Sequence, residues 1–134
     1  MNNESGKEKK ILVVEDERPL IEAVKAKLET RGFSVVTART VAQALVYLEE
    51  LAPIDVIWLD HYLLGKEDGL DFVTKLKEPG SQWSNIPIFV VSNTAGPDKV
   101  RSYIRLGVSK YYVKAEHRLD TIITEISAFL EKGE

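Results

Sequence analysis

Five short apolar runs rich in β-branched residues recur along this chain, each followed by turn residues and then by a stretch with helical periodicity. The runs are Ile11–Val14, Ser34–Thr37, Asp55–Leu59, Ile88–Val91 and Lys110–Val113. None shows the polar alternation of a one-sided sheet, so each reads as a strand covered on both faces in a parallel sheet. The intervening stretches repeat at 3.6 residues. Leu20, Val24 and Leu28 make the first helical face, with Pro19 in its opening turn and Gly32 as its stop. Val41, Ala44, Leu45 and Leu48 make the second, closed by Pro53, and Leu70, Val73 and Leu76 the third. Val100 and Ile104 make the fourth, ended by Gly107. Leu119, Ile122, Ile123, Ile126, Phe129 and Leu130 make the fifth. Strands and helices alternating in this way, joined by right-handed crossovers, specify an α/β fold: a doubly wound five-stranded parallel sheet with five helices.

At 134 residues the chain has one core and one domain. Residues 1–9 are polar and Lys-rich and read as a flexible N-terminal lead-in, with the folded domain spanning 10–132. Cysteine is absent, which excludes disulfides, thiol catalysis and cysteine–zinc sites. A balance of 18 Lys+Arg against 21 Asp+Glu removes the electrostatic case for nucleic acid as a partner. The apolar runs fall far short of the roughly 18 residues that a membrane span needs, so no membrane partner is expected. No apolar segment follows the N-terminus as in a secretion signal, so the expected location is cytoplasmic.

In doubly wound sheets, sites form beyond the carboxyl ends of the strands. Strand one leads into Glu15-Asp16-Glu17, strand three into Asp60, strand four into Ser92-Asn93-Thr94 and strand five into Lys114. Strand two leads into Ala38-Arg39-Thr40, which offers nothing sharp. Taken singly, the acids suit helix N-termini, Ser92 a cap and Lys114 a solvated surface. Taken together, carboxylates on one rim repel each other and call for a cation. Few carboxylates without a full ligand cage suit Mg²⁺, which keeps waters and takes phosphate oxygens. A carboxylate beside such an ion, with a hydroxyl and an ammonium near it, suits in-line phosphoryl transfer to Asp.

These positions read ILVVEDE, VIWLD, FVVSN and YYVK. Over residues 10–132 the chain resembles the receiver domain of two-component response regulators, of the stand-alone chemotaxis-receiver kind. The resemblance implies a flavodoxin-like sheet of order 2-1-3-4-5. It implies that Asp60 is the nucleophile that takes a phosphoryl group from a histidine kinase or phosphotransfer protein. Asp16, Asp60 and the Tyr62 carbonyl would hold Mg²⁺, with Glu15 acting mainly through water. Lys114 would pair with the phosphoryl oxygens, Ser92 would hydrogen-bond the phosphoryl group, and Tyr111 matches the aromatic switch position. The family commonly carries Pro where Leu64 stands. Its Asp-Gly before helix three comes one residue earlier than Asp68-Gly69, and its Pro after the strand-five lysine is Ala115 here. Without that Pro, the Lys114–Ala115 bond is expected to be trans.

Because the sequence ends after helix five, no output domain is expected. The signal would leave through the face formed by helix four, strand five and helix five, to a protein effector or into a homodimer. That face carries Lys99, Arg101, Arg105 and Lys110 against Asp120, Glu125 and Glu131. His61 is not expected to ligate metal, since neighbouring strand residues point to opposite faces. His117 reads as a surface residue. The resemblance also implies that Tyr62 and Asn93 would flank the path of an attacking water, which predicts slow self-dephosphorylation. Beyond Mg²⁺-dependent self-phosphorylation and that slow decay, no enzymatic activity is expected. A haloacid-dehalogenase phosphatase would want an acid where Tyr62 stands, and a nucleotide module would want a Gly-rich phosphate loop. A phosphorylation-independent docking module is the remaining alternative.

Overall fold

The computed structural model describes residues 8–94 and 96–132. Most of the expected lead-in, residues 1–7, lies outside them. Five strands, β1 (Lys10–Val14), β2 (Ser34–Ala38), β3 (Val56–Leu59), β4 (Ile88–Ser92) and β5 (Lys110–Val113), form one parallel sheet in the order β2-β1-β3-β4-β5. The helices between and after them are α1 (Arg18–Thr30), α2 (Val41–Glu50), α3 (Gly69–Leu76), α4 (Pro97–Leu106) and α5 (Leu119–Lys132). The expected fold is the observed one.

Period-two alternation within β1 sends its side chains into two cores. Leu12 and Val14 join Leu59, Phe72, Val73 and Tyr103 under α2, α3 and α4. Ile11 and Val13 join Trp58, Tyr112, Ile122 and Ile126 under α1 and α5. The register Val14↔Leu59 sets the ends of β1 and β3 level, and level strand ends bring their following residues together. Turn chemistry agrees with the boundaries. Thr40 accepts the Gln43 N–H at the start of α2, a cap typically worth about 1 kcal/mol. Asp68 and Asp71 form a reciprocal capping box at α3. Gly107 ends α4 in the left-handed region, φ 95°.

Three expectations shift. The strands are not all covered on both faces: most of β2 and β5 is only half-buried or exposed, because they are the sheet edges. Strand three begins at Val56, one residue later than expected; just ahead of it the Asp55 N–H donates to Lys10 O at 2.8 Å and the Asp55 carboxylate accepts the Lys10 N–H at 2.7 Å. On α4, Ile104 is 52% exposed and Tyr103 is the residue that is fully buried. A tyrosine can take that place when its hydroxyl finds a partner, and here His61 supplies one.

Candidate functional site

The sheet ladder runs one residue past the strands. Glu15 N–H donates to Ala38 O at 3.0 Å, and Asp60 N–H to Val14 O at 2.9 Å. These bonds fix the backbone of both acids at the carboxyl rim. Glu15 and Asp60 are buried there, and the Lys114 ammonium lies between them, 3.2 Å from Glu15 Oε1 and 3.5 Å from Asp60 Oδ2. The second Glu15 oxygen accepts the Glu17 N–H at 3.2 Å. Burial, then the Asp60 charge, pushes the Glu15 carboxyl up to about 7, against the pull of Lys114 and the Glu17 N–H.

Asp16 completes the group: Glu15, Asp16 and Asp60 each bring one carboxylate oxygen to within 4.8 Å of the others. Asp60 Oδ1 is buried with no hydrogen-bond partner. Three clustered carboxylates, one of them with an unsatisfied buried oxygen, fit a hard divalent cation such as Mg²⁺. Glu15 is already held by Lys114 and the Glu17 N–H, so Asp16 and Asp60 are the donors with free capacity.

Lys114 gets its aim from a short 3₁₀ turn, Lys114–Glu116. The one cis peptide among the described residues is Ala52–Pro53, so Lys114–Ala115 is trans as expected. Ser92 is buried at the end of β4. Tyr111 is half-buried and its hydroxyl donates to Thr94 O at 2.7 Å, which ties its side chain to the β4–α4 loop. Tyr62 is 54% exposed and its ring meets the His61 ring edge-on, centroids 4.8 Å apart. Asn93 is exposed as well. Tyr62, one of the two residues expected to shield the acceptor, thus packs its ring on its neighbour in sequence and leaves about half of its surface open to solvent.

His61 lies outside the acid cluster, as the opposite-face argument requires, but it has a task the sequence did not show. It is 2% exposed, with Nδ1 2.6 Å from the Tyr103 hydroxyl and Nε2 3.1 Å from Lys99 Nζ. An ammonium can only donate, so Nε2 accepts and the Nδ1–H faces Tyr103. Burial lowers the His61 pKa, with Lys99 adding to the effect against the raising influence of Asp68. Beside it, Gly69 N–H donates to His61 O at 2.8 Å. A Cβ on Gly69 would sit 2.6 Å from the Tyr103 hydroxyl and 2.8 Å from Asp60 O, so only glycine fits. His117 is exposed, as expected.

Arg39, at the end of β2, is the other residue that the sequence reading passed over. Its Nε and Nη2 donate to the Asp16 carbonyl at 3.1 and 2.7 Å. No local pattern predicts such a contact, because its acceptor lies 23 positions away.

The family model described as the response regulator receiver domain matches residues 11–127. The chain belongs to the receiver-domain family. The receiver domain is 36% identical over 107 residues to the transcriptional regulatory protein KdpE of Mycobacterium tuberculosis, covering 78% of this chain and 43% of that one. It thus spans less than half the length of that relative. Among solved structures, the phosphorylated cyanobacterial phytochrome response regulator RcpA is similar at 28% identity and a TM-score of 0.80, over 92% of this chain and 94% of that one. The Mn²⁺-bound form of response regulator Rcp1 is similar at 26% identity and a TM-score of 0.78, over 91% and 94%. Receiver domains of two-component systems are characteristically phosphorylated, bind Mg²⁺ at an acidic pocket and interact with histidine kinases or phosphotransfer proteins. Among the described residues, no helix of this receiver domain is long and apolar enough to cross a membrane.

Proposed function

We propose that this receiver domain accepts a phosphoryl group on Asp60 from the phosphohistidine of a histidine kinase or phosphotransfer protein. The observation that carries the reading is the buried, unpartnered Asp60 Oδ1, set among Asp16, Glu15 and Lys114. An Asp60 carboxylate oxygen attacks phosphorus, the P–N bond breaks, and the imidazole nitrogen leaves with the bonding pair. Asp16 and Asp60 would hold Mg²⁺, with the Tyr62 carbonyl beside them and Glu15 acting through water. Bound there, the ion would neutralise charge on the transferring phosphoryl group. Lys114 already contacts the Asp60 carboxylate, so its ammonium needs little movement to pair with a phosphoryl oxygen. Ser92 would donate its hydroxyl to the phosphoryl group, and Tyr111, tethered through the Thr94 carbonyl, would follow that loop.

The altered state would be read on the face formed by α4, β5 and α5, by a protein effector or a second copy. On that face Ile104 is exposed, Arg101 and Arg105 share its helix, and Lys110 of β5 pairs with Glu125 of α5. Incubation with acetyl phosphate and Mg²⁺, followed by intact-mass measurement, tests the acceptor. Wild type gains one phosphoryl group, whereas Asp60→Asn and wild type with chelator gain none. Labelling that persists in a folded Asp60→Asn protein would remove the assignment. Wild type that never labels would favour a phosphorylation-independent docking module.

A further inference from the structure

We propose that Arg39 is a positioning residue for the divalent-cation site, clamping the two loops whose residues would hold the ion. The inference rests on the acceptor reading above. The Arg39 guanidinium forks onto the backbone carbonyl of Asp16 itself, at 3.1 Å from Nε and 2.7 Å from Nη2. The main-chain carbonyl of Arg39 accepts the Leu64 N–H at 3.1 Å, which anchors the loop running from Asp60 through Tyr62 to α3. One residue on, Gly65 approaches Thr40, where a Cβ would lie 4.0 Å from the Thr40 methyl. The β1–α1 and β3–α3 loops therefore both lean on the β2–α2 turn, and Arg39 is the residue that touches each.

Arg39 is itself fixed. Its N–H donates to Gln43 Oε1 at 2.9 Å, and the Gln43 N–H donates to the Thr40 hydroxyl at 3.0 Å, so the first turn of α2 holds the base of the clamp. Three clustered carboxylates repel, and without restraint the half-buried Asp16 is the one free to swing outward. A planar guanidinium suits the restraint, because two donors on one carbonyl fix its direction as a single ammonium cannot. The Leu64 bond also depends on this sequence, since the proline that the family commonly carries there has no N–H to give.

The test is calorimetric titration of the full chain with Mg²⁺ alone, comparing wild type, Arg39→Met and Arg39→Lys, with Asp16→Asn as the control. Arg39→Met should bind Mg²⁺ about tenfold more weakly, the usual cost of losing a partner that orients a ligand. Arg39→Lys keeps the charge but not the fork and should be weakened similarly. It also serves as the second variant if the methionine protein does not fold. Labelling by acetyl phosphate should slow at limiting Mg²⁺ and recover when Mg²⁺ saturates, which a general loss of structure would not produce. Wild-type affinity in a folded Arg39→Met protein overturns the proposal. Wild-type affinity in Arg39→Lys alone overturns the fork: one donor on the Asp16 carbonyl would then be enough. If Asp16→Asn binds Mg²⁺ as wild type does, the cation-site reading fails, whatever the Arg39 variants do.

Discussion

Two buried polar groups flank the end of β3, and they are finished to different degrees. On one side, Asp60 and Glu15 share the ammonium of Lys114, one Asp60 oxygen has no partner, and Glu15 is pushed up to about 7. On the other, the next residue, His61, is just as buried, yet both of its ring nitrogens are matched by Tyr103 and Lys99. A buried polar group left unpaired costs about 1–3 kcal/mol; Trp58 Nε1 carries that cost inside the core, whereas Asp60 Oδ1 carries it at the rim beside two further carboxylates, where an arriving cation would relieve it. The paired group needs nothing further. The contrast separates a carboxylate with open capacity from a pair that braces the fold, although the two touch in sequence.

That contrast can be broken by asking which defects Mg²⁺ repairs. Lys114→Met leaves Glu15 and Asp60 facing each other without a cation, and should lower stability by about 3 kcal/mol in metal-free buffer. Saturating Mg²⁺ should restore much of the loss in a thermal melt. Tyr103→Phe keeps the ring volume but leaves the His61 Nδ1–H without its acceptor, which should cost about 1–3 kcal/mol with no rescue by Mg²⁺. Equal rescue of the two variants would erase the distinction.

Glu15→Gln sharpens the comparison further. The folded-state pKa of Glu15 stands above its ordinary value of 4.5, so the folded chain holds this proton longer than the unfolded one. Without metal, Glu15 therefore makes stability fall as pH climbs from about 4.5 to about 7. The glutamine variant should lack that slope and melt a few degrees higher near neutrality in chelator, and it should bind Mg²⁺ more weakly. A wild-type pH profile in the variant would place the repulsion elsewhere. The smallest effect is expected from Tyr62→Asn. Its ring lies against His61 and half open to solvent, so the decay of phosphorylated protein should stay close to wild type. Markedly faster decay would show that the ring folds over the acceptor once the phosphoryl group is present.

The strands and the acid rim were legible because each depends on local pattern: an apolar run, then the residue that ends it; the strand order came from the family resemblance, since no local pattern encodes it. Asp60, Lys114 and Ser92 all fall where a strand stops. Arg39 and His61 were not legible, because their partners lie 23 and 42 positions away and no local rule couples them. The choice between Tyr103 and Ile104 failed for a related reason. Helical period admits either neighbour to the buried face, and hydrophobicity favours isoleucine. The deciding term was a hydroxyl that finds a histidine belonging to another element.

Gly69 has a mechanical consequence. With no side chain there, the carbonyl of Asp60, the backbone of His61 and the hydroxyl of Tyr103 close on one point, with less room than a methyl group requires. Three separate elements meet there like teeth of a gear with no play. The first turn of α3 and the Tyr103 hydroxyl of α4 therefore stand as the direct neighbours of the Asp60 carbonyl on that side.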